Sequence, residues 1–461
     1  MRMNIITLLL SWMILSCSKS STVPGNPTPP VDPPVDVPVQ YGIPFTQVPD
    51  AQDAVIYQVN TRAFSIGGKF QGVIERLDSI KALGINTIYL MPVYPVGTVN
   101  AVNSPYCIKN FGEVAPEFGS LSDLRALVDG AHARNIAVIL DWIANHTSWD
   151  NPWISANKAW YKQDINGNII SPPNTGWNDV AQLNFANQDM RQAMIKAMKY
   201  WIYAANIDGY RCDAADFVPF DFWKQSIDSL KKITSHKLLM FAEGTRSDHF
   251  TAGFQLVYGM GFFYNLKDKI FSQGASVKSI DTVNIKEYLN ATNANQVVRY
   301  TSNHDVNLVD GTAADLFGGQ DGSITTFLVA AYMKGVPMIY NGQEINYPVR
   351  LNYFNNSTPI NWTTNTSVTN AYKQILAFRK SSAALKTGTL NSYSSNDVCA
   401  FEKTAGAEKV LVIANMRNST LTYNIPPAFV NSSWNNSFTG TQVNLGTQVS
   451  LAPYSYQVLK K

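Results

Sequence analysis

Cysteine is scarce in this chain, with Cys17, Cys107, Cys212 and Cys399 the only four in 461 residues. With Cys17 set aside for reasons given below, three scattered thiols make no disulfide framework, so the fold must rest on a buried apolar core. Charge is sparse too: Asp, Glu, Lys and Arg make up 15% of residues, the formal net charge is +3, and no long basic run occurs. This excludes nucleic acid as the partner. Long hydrophobic runs are also lacking, and the apolar stretch from Ile5 to Leu15 is too short to span a bilayer. What the chain does have is a 45% apolar content and 12% aromatic residues. That is ample for a core, and the aromatic share suits sugar faces as well as plain packing.

The N-terminus has the layout of a secretory signal, with Arg2, an apolar run and the small residue Ser16. Its last step, Ile14-Leu15-Ser16-Cys17, resembles the cleavage box of bacterial lipoproteins, in which the Cys becomes the lipidated first residue. The resemblance implies an exported chain held at the cell envelope by lipid on Cys17, on a periplasmic or outer face. A cleaved signal peptide with an incidental Cys is the alternative. Residues 18–49 are rich in Pro, Val, Asp and Ser, with Pro29-Pro30 and Pro33-Pro34. Such a segment reads as an extended tether, rising ~3.1 Å per residue.

From Val55 onward, strand and helix patterns alternate. The candidate strands are Val55 to Asn60, Thr87 to Pro92, Ala137 to Trp142, Gly209 to Ala214, Leu238 to Gly244, Phe254 to Tyr258, Val297 to Asn303 and Val336 to Asn341. Eight strands with intervening helices predict an α/β fold, a (β/α)8 TIM barrel, over residues 50–383. Helices are expected at Phe70 to Leu83, Leu121 to Arg134, Asp189 to Asn206 and Phe220 to Ile233, and near Ala371 to Arg379. The interval after the third strand, about 143–187, is too long for a plain loop and reads as a small insert. It holds Trp149, Trp153, Trp160 and Trp177, which are either sugar-stacking platforms or the insert's own core. Beyond 384, the runs Val398 to Glu402, Val410 to Asn415, Thr420 to Ile425 and Val449 to Lys460 predict a C-terminal all-β sandwich, residues 384–461.

The stretch Gly209 to Gly244 reads as one βαβ unit of about 30 residues, which places Asp213 and Glu243 at the ends of neighbouring parallel strands. Strands lie roughly 4.8 Å apart. Two carboxyl groups so placed reach the separation of about 5 to 5.5 Å that a retaining glycosidase needs. Arg211, two residues before Asp213 on the same strand face, is placed to keep that carboxylate ionised.

Polar residues end other strands as well: Asp141-Trp142-Ile143-Ala144-Asn145-His146 after the third, and Asn303-His304-Asp305 after the seventh. These stretches, in this order with Arg211/Asp213 and Glu243, resemble the signature regions of the α-amylase family of glycoside hydrolases. Gly84 to Pro92 and Leu183-Asn184 add to the match. The resemblance implies that Asp213 is the nucleophile, Glu243 the general acid/base, and Asp305 a third carboxylate that grips sugar hydroxyls. It implies substrate contacts for Asp141, His146, Arg211 and His304, and for Tyr106, on which the ring at the cleavage point stacks. It implies an α-glucan partner, cut at α-1,4 bonds by double displacement.

The sequence also departs from the family. Where many relatives carry Lys-His after the nucleophile, this chain has Asp216-Phe217, and the first barrel loop, Ser65 to Lys69, is not Asp-rich. Asn145 keeps the identity of a family calcium ligand, so calcium is a candidate cofactor. Asp164-Ile165-Asn166-Gly167-Asn168 places oxygens at alternate positions, which a β-turn explains equally well. Two rivals stand beside hydrolysis of α-1,4 bonds. One is a sister specificity (pullulan, cyclodextrin, α-1,6 bonds or transglycosylation), and the other is a non-catalytic glucan-binding protein. The oligomeric state is left open.

Overall fold

The computed structural model describes residues 38–461 except Thr364. The signal segment with Cys17 and most of the Pro-rich segment lie outside the described residues. All eight expected barrel strands are present: Ile56–Val59, Thr87–Leu90, Ala137–Ile143, Gly209–Asp213, Leu239–Ala242, Leu256–Tyr258, Gln296–Tyr300 and Val336–Tyr340. They close into a barrel in which each strand pairs in parallel with its neighbour in sequence, and the first pairs with the last. Nearly every strand residue is buried, because helices cover the outside and side chains fill the inside.

Six of the eight strands end one to three residues sooner than the pattern predicts, whereas the third runs one residue further, to Ile143, and the sixth ends at Tyr258 as expected. Asp213 is the last residue of the fourth strand, whereas Glu243 lies just past the fifth and Asp305 in the first turn of the helix His304–Val309. Asn303 caps that helix, its side chain accepting from the Val306 amide at 2.8 Å. The predicted helix Phe70 to Leu83 is two helices, Phe70–Ile74 and Leu77–Ala82, because Arg76 leaves helical geometry at φ −108° and ψ 5°. Among the described residues no helix is long and apolar enough to cross a membrane.

The fourth strand begins at Gly209, where φ is +141° and any Cβ would overlap the Leu239 carbonyl of the fifth strand. Glycine therefore lets the fourth and fifth strands approach, and the two candidate catalytic carboxylates depend on that approach.

The C-terminal part forms a six-stranded antiparallel sheet and a separate two-stranded ladder. The run Val449 to Lys460 is two strands, Gln448–Leu451 and Tyr456–Lys460, broken by a turn through Pro453 and Tyr454, whose φ is +50°. Strands Thr389–Ser392, Ser432–Asn436 and Gln442–Leu445 escaped the sequence pattern because their outer faces are polar and their lengths short. The sheet has its own core around Leu411, Trp434 and Leu459. Arg417 fastens it to the barrel side, donating to the Ile270 carbonyl at 2.7 Å and the Ala275 carbonyl at 2.6 Å. Cys107, Cys212 and Cys399 are buried free thiols, and burial pushes the Cys107 thiol up to about 12.

Candidate active site

The strand register brings the carboxylates together. Asp141 pairs with Arg211, and Ile143 with Asp213, across the third and fourth strands, while Cys212 pairs with Ala242 across the fourth and fifth. The ladder runs on past the strand ends, with the Glu243 amide donating to the Cys212 carbonyl at 2.9 Å and the Ala215 amide to the Glu243 carbonyl at 2.8 Å. Asp213 and Glu243 therefore occupy facing positions at one end of the barrel.

Between them lies Arg211, fully buried. Its Nη1 donates to Asp141 Oδ1 at 2.7 Å and to Asp213 Oδ1 at 2.9 Å. Its Nη2 lies 2.6 Å from Glu243 Oε1, an ion-pair distance without hydrogen-bond alignment. The rings of Tyr89, Tyr106 and Tyr258 surround the guanidinium at 5.5 to 6.0 Å. One cation thus faces three carboxylates, and Asp305 lines the same cavity. Burial and the Glu243 charge raise Asp213 well above its ordinary value, against the pull of Arg211. The expectation that Arg211 keeps Asp213 ionised is therefore corrected: burial and the Glu243 charge outweigh the pull of the guanidinium. Asp141 is likewise pushed up to about 6 by burial, although Arg211 and the Tyr89 hydroxyl, donating at 2.7 Å, oppose the shift.

Glu243 is held by its neighbour's backbone. The Ala214 amide donates to Glu243 Oε2 at 2.8 Å, and Ala214 adopts the left-handed region at φ +45° to do so. For alanine that conformation costs roughly 1 to 2 kcal/mol, a strain kept beside the candidate acid.

The remaining predicted residues converge on the same cavity of about 300 Å³, which Tyr106, His146, His304 and Asp305 line together with the two carboxylates. Tyr106 stacks on His304 with ring centroids 5.3 Å apart, its hydroxyl 2.7 Å from Nε2. On the other ring nitrogen, the Gln58 amide nitrogen sits 2.8 Å from Nδ1. Both ring nitrogens of His304 are thus occupied by protein partners. Burial, with Arg211 nearby, pushes His304 down to about 3, and burial pushes His146 down to about 4. Both imidazoles are therefore neutral at neutral pH and offer hydrogen bonds without adding charge. Asp305 is half-exposed toward the cavity, and the Tyr353 hydroxyl donates to its Oδ1 at 3.1 Å.

Several of these partners were missed in the sequence. Gln58 could have been found as the one polar side chain in an otherwise apolar buried strand, Ile56–Val59. Tyr353 sits in the loop after the eighth strand and carries no local signal. Asp216, at one of the positions that depart from the family, is a latch between two loops. Its carboxylate accepts from the Thr245 amide at 2.9 Å and pairs with His249 Nε2 at 2.7 Å. Burial opposes ionisation, but the bonds from His249, Thr245 and Arg246 hold Asp216 down at about 2. A Cβ on Gly244 would collide with this pair, so the glycine after Glu243 makes room for the latch.

The tryptophans of the insert divide between their two readings. Trp153 packs on Phe111 and Trp160, whereas Trp177 lines the cavity edge-on to His146 at 5.6 Å. For calcium, Asn145 supplies one buried side-chain oxygen with no protein partner. Among the described residues no three His, Cys, Asp or Glu side chains gather into a metal site. The Asp164 carboxylate is taken up by its own turn, accepting from the amides of Asn166 and Asn168.

Comparison with known proteins agrees with this geometry. The family profile described as alpha amylase, catalytic domain, matches residues 43–168 and 174–361. Alpha-amylase 3 of Dictyoglomus thermophilum is 26% identical over 442 residues, covering 81% of this chain and 86% of that protein. The cyclomaltodextrin glucanotransferase of Thermoanaerobacterium thermosulfurigenes is 28% identical, covering 78% of this chain and 56% of its own length. In fold, the maltogenic alpha-amylase AmyB from Thermotoga neapolitana superposes with a TM-score of 0.79 at 23% identity, covering 90% of this chain and 99% of that one. With more than half its length matched by the catalytic-domain profile and its carboxylates gathered at one barrel end, this chain belongs to the α-amylase family of glycoside hydrolases.

Proposed function

We propose that this enzyme hydrolyses α-1,4-glucosidic bonds in starch, maltodextrin or related α-glucans with retention of configuration. The observation that carries the reading is the pairing of Asp213 and Glu243 on adjacent parallel strands with one guanidinium between them. Asp213 attacks the anomeric carbon as Glu243 gives its proton to the leaving oxygen, which yields a covalent glycosyl ester. Glu243, now a base, takes a proton from water, which attacks the same carbon and frees Asp213. Asp305 and the neutral His146 and His304 bind sugar hydroxyls, and Tyr106 offers its ring to the sugar being cut.

The test is product analysis on amylose, maltooligosaccharides, pullulan and cyclodextrin. The expected result is release of reducing ends from amylose and maltooligosaccharides. Cleavage of pullulan or cyclodextrin alone would assign a sister specificity instead, and binding without cleavage of any of them would make this a glucan-binding protein.

Export with a lipid anchor is also part of the proposal. It rests on the Ile14 to Cys17 box followed by the Pro-rich segment. Cys17→Ser is expected to move the protein from the membrane pellet to the soluble fraction, and unchanged pelleting would overturn the anchor.

A further inference from the structure

The fourth strand fixes Asp213, its last residue, but no strand fixes Glu243, which opens the irregular stretch 243–246 after the strand Leu239–Ala242. Other contacts must hold it. Asp216 and His249, which the proposed reaction does not use, stand directly behind this stretch, close enough that a Cβ on Gly244 would overlap both. Ala214 and Glu243 line the carboxylate cavity, whereas Asp216 and His249 do not. Their part is therefore played through the protein and not on the sugar.

Four donors converge on the Asp216 carboxylate: the Thr245 amide at 2.9 Å, the Thr245 hydroxyl at 3.0 Å, the Arg246 amide at 3.2 Å and His249 Nε2 at 2.7 Å. Arg246 returns the contact, its Nη1 donating to the carbonyls of Asp216 at 3.0 Å and Val218 at 3.1 Å. His249 is fully buried and its Nδ1 has no partner among the described residues, so Asp216 takes the one hydrogen bond its ring makes. Ala214 is thus pinned from both ends, by the strand through Asp213 and by the latch at Asp216. Its left-handed backbone needs such holding, and its amide is the donor on Glu243 Oε2.

We infer that Asp216 and His249 are positioning residues for the acid step: they hold the loop after the fourth strand against the loop after the fifth, so that the Ala214 amide stays on the Glu243 carboxylate and aims it at the leaving oxygen. This rests on the proposed glycosidase reading, in which Glu243 is the acid. The experiment compares two substrates. Maltopentaose has a leaving sugar that needs a proton, whereas α-maltosyl fluoride has a leaving fluoride that needs none. For the fluoride, kcat/KM reports the first step alone, so it is blind to a misplaced acid.

Asp216→Ala is expected to lower kcat/KM on maltopentaose about 10- to 100-fold, the scale of shifting a positioned group by roughly 1 Å. On α-maltosyl fluoride kcat/KM should stay within about twofold. Asp216 has a third of its side chain exposed, so its replacement leaves the core intact. His249→Leu, which offers Asp216 no donor, should show the same split, and His249→Gln, whose amide nitrogen donates from a similar place, should restore most of the loss. Equal losses on both substrates would show a merely structural latch and overturn the inference, as would no loss on either. Wild-type protein inert toward both substrates would instead defeat the glycosidase reading itself.

Discussion

Asp213→Asn is expected to lower kcat/KM on maltooligosaccharides by about four orders of magnitude or more, the scale of losing a covalent nucleophile. The loss follows from geometry. Asp213 ends its strand at the cavity, held to Arg211, and the other carboxylates around that guanidinium are committed elsewhere: Asp141 is closed off beneath Tyr89, and Glu243 is anchored by the Ala214 amide. An amide at position 213 can neither form the glycosyl ester nor leave from it.

The same substitution removes one negative charge from a cluster in which carboxylates outnumber the single guanidinium. The melting temperature should therefore hold or rise, which separates a lost reaction from a lost fold. In the wild type, burial and Glu243 raise Asp213, so activity should fall on acidification at a pH above the usual carboxylate value of about 4. Asp213→Asn with unchanged turnover would end the double-displacement reading.

Much of the barrel was legible because parallel strands buried on both faces read as short apolar runs, and all eight emerged that way. Strand ends were less so. Asn303 reads as strand by pattern, yet its side chain caps the following helix, and Arg76 interrupts a helix whose apolar spacing is unbroken. The site residues stood at strand ends, where the barrel geometry makes a polar residue conspicuous.

Their energetic coupling was not legible, since no sequence pattern shows that Arg211 touches three carboxylates contributed by separate strands. Asp216 illustrates the same limit. In sequence it marks a departure from the family, and only the fold shows its partners at 245 and 249, some thirty residues away. Phe217 and Trp177 lie forty residues apart, and their contact depends on how the insert folds back over the cavity.

Glu243→Gln should separate the two half-reactions. With maltooligosaccharides the leaving alkoxide needs a proton, so kcat/KM should drop by about 10²- to 10⁴-fold, the usual worth of a positioned acid. With α-maltosyl fluoride the leaving fluoride needs none, so the first step should proceed and load Asp213 with sugar. The second step then lacks its base. The expected trace is a burst of fluoride matching the enzyme concentration, followed by slow turnover.

Azide, a nucleophile that needs no deprotonation, should speed that slow phase and give a glycosyl azide of retained configuration. Without the burst, the proton would have to come from another group. Asp305 would be the next to test, since it is half-exposed, lines the same cavity and is bound by the Tyr353 hydroxyl.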